Sequence, residues 1–386
     1  MRVLFVTHAF PRHSGDVAGA FILRLAVALG GRGIEVRVLA PAAPDLPGTD
    51  RIDGIDVRRF RYAPRPWETL AYTGTMAEQV AGSLRGKIAL GGMLTRGALA
   101  VRAACSEFRP DVVHAHWWFP GGLLAPGTPA SRPLVTTLHG SDVRLARRNM
   151  WAPALFRRVL AKSAAVTAVS SYLADEARAM APRAQVAVEP MPVNVTLFTP
   201  DAATPRSKDR FLFVGRLNQQ KGIALLLEAL AATAPGVSLD VAGDGEDRTA
   251  LEARSRALGL EARVRWHGVR SQEQLVGLYR SATAVVIPSE GEGLGLVAVE
   301  AHLAGAPVIA FRSGGLTDVV EDGRTGVLTP PGDARALAAA MTALLERADH
   351  GAALGTAGRA AALARYSPDV VASHYATIYE GARHDS

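Results

Sequence analysis

The stretch Ser-Glu-Gly-Glu-Gly-Leu-Gly-Leu-Val-Ala-Val-Glu-Ala, residues 289–301, lies between a short apolar run and an apolar-rich helical pattern. A strand that leads through a glycine-rich turn into a helix is typical of a parallel sheet covered by helices. Gly293 and Gly295 let backbone N–H groups approach a ligand closely, and the N-terminus of the following helix favours an anion. Carboxylates at Glu292 and Glu300 could accept hydrogen bonds from the hydroxyls of a sugar or a ribose. Taken alone, the stretch is also compatible with a plain glycine-rich turn and two solvated glutamates.

A second segment of this kind is Gly-Arg-Leu-Asn-Gln-Gln-Lys-Gly, residues 215–222, directly after the predicted strand 211–214. Gly215 ends the strand, and Arg216 and Lys221 could both face the carboxyl edge of the sheet. Two cations there could hold a diphosphate and take up its charge as it leaves. A surface strand–helix turn is the alternative, whereas a Walker A loop is excluded because its Gly-Lys-Ser/Thr is missing.

Short β-branched runs alternate with longer helical patterns along the whole chain, which predicts an α/β fold with two doubly wound parallel-sheet domains. The predicted strands are 3–7, 35–39, 112–116, 134–138 and 165–169 in the first half and 211–215, 238–242, 263–267, 284–287 and 307–311 in the second. We assign residues 1–195 to the first domain and 196–367 to the second, joined by a proline-rich linker. The sequence leaves open whether the C-terminal helix over 368–386 packs back on the first domain.

Composition limits the cellular setting and the class of partner. The 386 residues contain a single cysteine, Cys105, so no intramolecular disulfide can form. The apolar run 88–101 is interrupted by Arg96 and the N-terminus does not resemble a signal peptide, so we expect a cytoplasmic protein, with peripheral contact at the inner face of the membrane left open. Residues 1–200 hold 24 Lys+Arg and 14 Asp+Glu, whereas the remainder holds 19 and 22. The first half is therefore expected to meet something anionic, and we expect no nucleic-acid partner.

Together, residues 215–222 and 289–301 resemble the donor-binding half of retaining glycosyltransferases of the GT-B fold, family 4, also called group 1. Residues 215–222 match the family pattern of Gly-Arg-Leu followed by Lys-Gly, and residues 292–300 match its Glu-x7-Glu pattern. The resemblance continues through segments that are similar to the family in type and spacing: 241–246, 266–268, 304–309, 313–315 and 324–328.

The resemblance implies two Rossmann-like domains facing a central cleft, the first binding the acceptor and the second a nucleotide-sugar donor. It implies that Arg216 and Lys221 bind the donor diphosphate, Glu292 the transferred sugar, Glu300 the ribose, and the backbone around Val269 the base. The expected donor-binding residues are Gly15, Gly19, Gly215, Arg216, Lys221, Val269, Glu292, Gly293, Leu294, Gly295, Leu296 and Glu300. The expected catalytic residues are His139, Arg216, Lys221 and Glu292.

The first half is less diagnostic. Gly15 and Gly19 follow the first predicted strand and resemble the family's N-terminal glycine loop, although a plain strand–helix turn fits each of them as well. His139 and Asp142 resemble the family's His-Gly-x-Asp element, which implies that His139 contacts the transferred sugar and that Asp142 meets the acceptor or orients the loop. Arg144 is expected to bind the acceptor.

Alternating histidines and two basic segments allow other interpretations. His114 and His116, with Trp117 and Trp118, lie at a predicted strand end. Alternating histidines invite a metal site, but no third ligand is suitably spaced, so no metal is expected and packing or an acceptor contact is favoured instead. The runs 144–158 and 58–67 both mix arginines with large apolar residues. Each is either a solvated surface or a patch facing a lipid phosphate or an anionic membrane.

The resulting hypothesis is a retaining glycosyltransferase that moves a sugar from a nucleotide-diphosphate sugar to a hydroxyl acceptor, forming an α-glycoside and needing no cofactor. The acceptor is a glycan, a lipid-linked intermediate or a small metabolite. A nucleotide-sugar-binding protein without transferase activity and a nucleotide-sugar epimerase are the alternatives.

Overall fold

The computed structural model describes residues 1–72, 76–148 and 150–384. Two compact units are present: the first unit is Met1–Pro192 with the C-terminal segment that begins at Pro368, and the second unit is Val193–Ser367. Each unit contains one largely parallel sheet, and helices join most of its consecutive strands, so the predicted α/β class is confirmed.

The first unit has an eight-stranded sheet, of which five strands were predicted. Its strands are β1 (Arg2–Val6), β2 (Glu35–Pro41), β3 (Thr49–Ile52), β4 (Ile55–Phe60), β5 (Val112–His116), β6 (Leu134–Leu138), β7 (Ala165–Ala168) and β8 (Val186–Val188). They are ordered β3-β4-β2-β1-β5-β6-β7-β8, and only β3 runs antiparallel to its neighbour. The strand order reverses between β1 and β5, which is where ligands of open parallel sheets bind.

The second unit has a six-stranded sheet in the order β11-β10-β9-β12-β13-β14, with every pairing parallel. Its strands are β9 (Arg210–Val214), β10 (Ser238–Ala242), β11 (Val264–Gly268), β12 (Val285–Ile287), β13 (Val308–Phe311) and β14 (Gly326–Thr329). Only β14 was not predicted. The strands are short and apolar because both faces of the sheet are covered, and β12 and β13 are buried throughout.

Fourteen α-helices lie within the described residues. They are α1 (Ala20–Gly31), α2 (Met76–Gly82), α3 (Leu84–Phe108), α4 (Ser141–Arg148), α5 (Ala152–Lys162), α6 (Ser171–Met180), α7 (Ile223–Ala231), α8 (Arg248–Ala257), α9 (Gln272–Ser281), α10 (Leu296–Leu303), α11 (Leu316–Val319), α12 (Ala334–Glu346), α13 (Ala352–Tyr366) and α14 (Pro368–His384).

Helix α3 is long and apolar enough to cross a membrane by length and composition alone. Arg96 was expected to exclude a membrane span, but length and composition alone do not exclude one. One face of α3 places Met93, Val101 and Phe108 in the core of the first unit.

Helix α14 belongs to the first unit, although it comes last in the chain. It packs against α1, and its buried Tyr375 and Tyr379 reach the middle of the first sheet. The Tyr379 hydroxyl lies 2.7 Å from Nδ1 of His114, and the Tyr375 hydroxyl lies 3.3 Å from Oγ1 of Thr137. Long-range side-chain contacts of this kind leave no pattern in the sequence around α14.

Candidate active site

The two segments singled out in the sequence lie side by side at the carboxyl edge of the second sheet. Residues 215–222 follow β9, residues 288–295 follow β12, and these two strands are hydrogen-bonded neighbours. The backbone N–H of Glu290 donates to the carbonyl of Gln220 at 2.9 Å, and the Gln220 side-chain amide donates to the carbonyl of Gly291 at 3.3 Å. The glycine-rich turn and the basic segment therefore form one local structure.

An ion pair between Lys221 and Glu292 lies at the centre of this structure. The Lys221 ammonium donates to Oε1 of Glu292. Both side chains are largely withdrawn from solvent, with 22% of Lys221 and 15% of Glu292 exposed. Two of the four expected catalytic residues are thus brought together.

Arg216 lies in a different setting from Lys221. Its guanidinium Nε is 3.5 Å from Oε2 of Glu246, and 54% of the side chain is exposed. The structure therefore holds the two expected diphosphate-binding cations on different carboxylates, and a joint grip on one diphosphate stays a prediction.

A third loop, residues 313–315, follows β13 and supports the glycine-rich turn through hydrogen bonds. The hydroxyl of Ser313 accepts from the N–H of Gly291 at 3.0 Å, and the N–H of Gly315 donates to the carbonyl of Glu292 at 2.8 Å. A Cβ on Gly314 would lie 2.5 Å from that same carbonyl oxygen. This supporting role was not predicted, because it depends on the pairing of β12 with β13.

Helix α10 continues the turn and carries Glu300. The helix begins after Gly295, whose φ of +87° is unfavourable for residues with a side chain. The fully buried Tyr279 of α9 donates its hydroxyl to Oε2 of Glu300 at 2.8 Å. Tyr279 was missed because a tyrosine in a helical apolar pattern looks like an ordinary core residue. It fixes the carboxylate that the resemblance assigns to the ribose.

The remaining expected donor-binding residues of the second unit lie around the same edge. Val269 follows β11 and is 74% exposed, whereas Leu294 is buried in the glycine-rich turn. Leu296 is the first residue of α10, and Gly293 lies three residues before it.

Close backbone contact between the loops after β9 and β10 gives a test of this architecture. A Cβ on Gly243 would lie 1.8 Å from the carbonyl oxygen of Gly215, and φ at Gly243 is +142°. We expect Gly243→Ala to lower the free energy of unfolding by about 3 kcal/mol, because it adds both overlap and backbone strain. Urea denaturation followed by circular dichroism measures the change. The control is Gly236→Ala, where an added Cβ meets nothing within 4 Å; equal stability of the two variants would contradict this arrangement of loops.

In the first unit, the loop after β6 is organised by Asp142. Its carboxylate accepts from the backbone N–H groups of His139 at 3.1 Å, Gly140 at 2.9 Å and Trp118 at 3.1 Å. The residue is buried, and burial raises the pKa of the carboxyl while the backbone N–H groups oppose that shift. Of the two roles considered for Asp142, the structure favours orienting the loop over meeting the acceptor.

His139 lies among aromatic rings at this edge. Its Nε2 is 3.2 Å from Nδ1 of His116, and the ring of Trp117 lies 4.3 Å away, centroid to centroid. Burial lowers the pKa of both His116 and His139 well below the ordinary value, so both rings are neutral near pH 7. The strand-end position of His116 and Trp117 indicated packing or an acceptor contact in the sequence, but neither was among the predicted site residues; the structure places both beside His139.

His114 is structural in this chain. Its Nδ1 bonds the Tyr379 hydroxyl and its Nε2 bonds Oγ1 of Thr137, both at 2.7 Å, so neither nitrogen is available to a metal. Within the described ranges, no group of three or more His, Cys, Asp or Glu is arranged to hold a metal ion.

The N-terminal glycine loop and Arg144 complete the predicted residues. Gly15 has a φ of +82° and open space around it, whereas a Cβ on Gly19 would lie 2.5 Å from the carbonyl oxygen of Ala9. Gly19 therefore allows the loop to fold closely over the end of β1 before α1 begins. Arg144 lies on α4 and is exposed.

Comparison with known proteins gives matches over nearly the whole chain. Residues 198–361 match the family model described as glycosyl transferases group 1, and residues 18–197 match that of glycosyltransferase family 4. The chain is 32% identical to a D-inositol 3-phosphate glycosyltransferase of Xylanimonas cellulosilytica, over 96% of this chain and 93% of that protein. It is 29% identical to a glycogen synthase of Mycobacterium tuberculosis, over 99% and 95% of the two chains.

Two solved structures show the same fold. Sucrose-phosphate synthase from Thermosynechococcus elongatus superposes with a TM-score of 0.82 at 24% identity, covering 100% of both chains. HepE from Anabaena in complex with UDP superposes with a TM-score of 0.73 at 22% identity, covering 98% of this chain and 100% of that chain.

Proposed function

The chain belongs to the group 1 glycosyltransferases and has the GT-B fold, and we propose that it transfers a sugar from a nucleotide-diphosphate sugar to a hydroxyl acceptor with retention of configuration. The product would be an α-glycoside. The acceptor is a glycan, a lipid-linked intermediate or a small metabolite.

The observation that carries this proposal is the Lys221–Glu292 ion pair in the glycine-rich turn before α10. An ammonium withdrawn from solvent and a helix N-terminus together favour a diphosphate. A diphosphate that takes over the Lys221 ammonium would release the Glu292 carboxylate to accept hydrogen bonds from sugar hydroxyls. The same charge arrangement thus serves both parts of a nucleotide sugar.

In the proposed reaction, the acceptor oxygen forms a bond to the anomeric carbon as the bond from that carbon to the diphosphate breaks. Lys221 and the N-terminus of α10 stabilise the negative charge that grows on the departing diphosphate, which then accepts the acceptor's proton. Glu300, held by Tyr279, binds the ribose hydroxyls, and the exposed segment at Val269 meets the base. The support for a nucleotide donor is this charge distribution, together with the UDP complex of the structurally similar HepE.

A thermal-shift screen over UDP-, GDP- and ADP-sugars tests donor binding. A donor at a hundred times its dissociation constant should stabilise the protein by about 2.7 kcal/mol. Nuclear magnetic resonance of the product then reports the anomeric configuration, and a β-linked product from an α-linked donor would refute retention. Donor binding with neither transfer nor donor hydrolysis would favour the binding protein, and conversion of the donor alone would favour the epimerase.

Tyr279→Phe tests the ribose contact without touching the proposed leaving-group site. Because the hydroxyl orients the Glu300 carboxylate, we expect KM for the donor to rise about tenfold while kcat stays within twofold. A tenfold rise in KM corresponds to the loss of one hydrogen bond to a charged group. Steady-state kinetics and calorimetric titration with the free nucleoside diphosphate measure it. Tyr366→Phe, which alters a buried tyrosine of the same unit away from Glu300, is the control; an equal rise in KM in both variants would argue against a specific contact.

A further inference from the structure

The connection between β6 and β7 exposes an unusual amount of apolar surface. Met150 is 88% exposed and Trp151 is 79% exposed, the two highest values among the large apolar side chains of the described residues. Leu155, one turn further along α5, is 42% exposed. A tryptophan and a methionine presented together to water are typical of a surface that binds a partner.

The exposed residues of α5 form one stripe. Trp151, which caps the helix, is followed at helical spacing by Leu155, Arg158 and Lys162, all of them exposed. The opposite face is the one that packs on the protein, through Phe156, Val159 and Leu160. The stripe is therefore apolar at the start of α5 and basic at its end, and the core does not use it.

The same connection is strongly positive. Residues 141–162 contain one acidic side chain, the buried and hydrogen-bonded Asp142, and the following basic ones: Arg144, Arg147, Arg148, Arg157, Arg158 and Lys162. Arg147 pairs with Glu176 of α6 at 2.6 Å, yet 56% of its side chain stays exposed. A large excess of positive charge therefore lies in the same connection as the apolar side chains.

The other basic segment of the first unit, residues 58–67, differs in this respect. Arg58 makes two hydrogen bonds to the Glu107 carboxylate, at 2.7 and 2.5 Å. The side chain of Arg59 is fully buried against Asp50, and Arg61 pairs with the buried Glu68. Carboxylates within the fold neutralise these three arginines and leave Arg65 as an exposed cation. Among the described residues, none of the strongly exposed large apolar side chains lies in 58–67, so segment 141–162 is the one of the two that offers an anionic partner both charge and apolar surface.

We propose that Met150 and the Trp151–Leu155–Arg158–Lys162 stripe dock on the surface of an anionic phospholipid bilayer. Tryptophan is suited to the boundary between headgroups and acyl chains, where Met150 and Leu155 would be buried, and the surrounding arginines and Lys162 would meet lipid phosphates. A nucleic acid would satisfy the cations but would leave Met150 and Leu155 in water. This surface lies on the first unit and uses none of the proposed donor-binding residues of the second, so the inference does not depend on the proposed function.

Vesicle co-sedimentation of the full chain tests the proposal. We expect binding to phosphatidylcholine vesicles that contain phosphatidylglycerol, weakening as salt rises, and little binding to phosphatidylcholine alone. Met150→Ser with Trp151→Ser should lower the partition coefficient by at least about tenfold. Arg148→Gln with Arg158→Gln should lower it about 25-fold, since each cation near such a surface contributes about fivefold.

Matched controls separate this surface from general charge and hydrophobicity. Arg254→Gln with Arg256→Gln removes two charges from α8 of the second unit, and Val27→Ser removes an exposed apolar side chain from α1. Both controls should bind vesicles as the unaltered chain does, and thermal unfolding should show all variants folded. The proposal would be overturned if the unaltered chain failed to bind the anionic vesicles at low salt. It would also be overturned if the Met150/Trp151 and Arg148/Arg158 double variants bound them as tightly as the unaltered chain. Tighter binding to duplex DNA that depends on the same residues would reassign the surface to nucleic acid.

Discussion

Lys221→Met is expected to lower the rate of sugar transfer by about a thousandfold. The ammonium is paired with Glu292 of the glycine-rich turn, where it would stabilise charge on the departing diphosphate more in the transition state than in the bound donor. Most of the loss should therefore fall on kcat rather than on KM. Steady-state kinetics with the donor identified by thermal shift measure both parameters.

Lys208→Met is the matched control, because Lys208 is an exposed lysine of the same unit outside the site. Its kinetics should be unchanged. The variant Lys221→Met also leaves the Glu292 carboxylate without its cation. The double variant Lys221→Met, Glu292→Gln removes that unpaired charge, so its rate of transfer shows whether the loss in Lys221→Met comes from charge imbalance or from missing stabilisation of the leaving group. If the double variant recovers transfer, or if Lys221→Met loses less than tenfold, then Lys221 does not stabilise the leaving group.

The parts of this fold that could be predicted are those determined by short local stretches of sequence. Strands β5, β6 and β10 match the predicted bounds because each is a compact apolar or β-branched run that ends at a clear boundary. The β3–β4 hairpin was missed because its arginines resemble a solvated surface, although Arg59 is buried through an ion pair with Asp50. Burial of a charged residue depends on a distant partner, which local periodicity does not reveal.

The candidate site divides in the same way. Lys221 and Glu292 could be predicted because glycines and charges mark both segments, and parallel strand ends meet at one edge. Tyr279 and the 313–315 loop could not, since their function lies in supporting other residues. Asp142 illustrates the intermediate case: its importance was visible, but only its backbone partners show that it orders the loop.

Acidification is expected to destabilise the first unit steeply below about pH 6. His114 and His116 are fully buried; the pKa of His114 falls to about 3 and that of His116 falls well below the ordinary 6.5, in both cases because burial disfavours the charged ring. Between these values and 6.5 the unfolded chain binds protons that the folded chain does not, so stability falls as pH falls. With two such histidines, the free energy of unfolding falls by about 2.7 kcal/mol for each pH unit of acidification. The pKa values of His8 and His139 are also lowered, and these two residues make the slope steeper.

Urea denaturation at a series of pH values from 8 to about 4.5 measures this slope. Tryptophan fluorescence reports mainly on the first unit, which holds Trp67, Trp117, Trp118 and Trp151, whereas Trp266 alone lies in the second. His116→Asn removes one titrating group and should reduce the slope by about 1.4 kcal/mol per pH unit, whatever it does to stability at neutral pH. Val27→Ser alters an exposed side chain of the same unit that does not titrate, and should leave the slope unchanged. Desolvation favours a higher pKa for the Asp16 carboxyl, but hydrogen bonds with Arg12 and backbone N–H groups outweigh it and lower the pKa to about 2. The contribution of this carboxylate to the free energy of unfolding is therefore lost only below about pH 4. A free energy of unfolding that stays constant between about pH 6.5 and 4.5 would show that the buried histidines already accept protons in the folded protein.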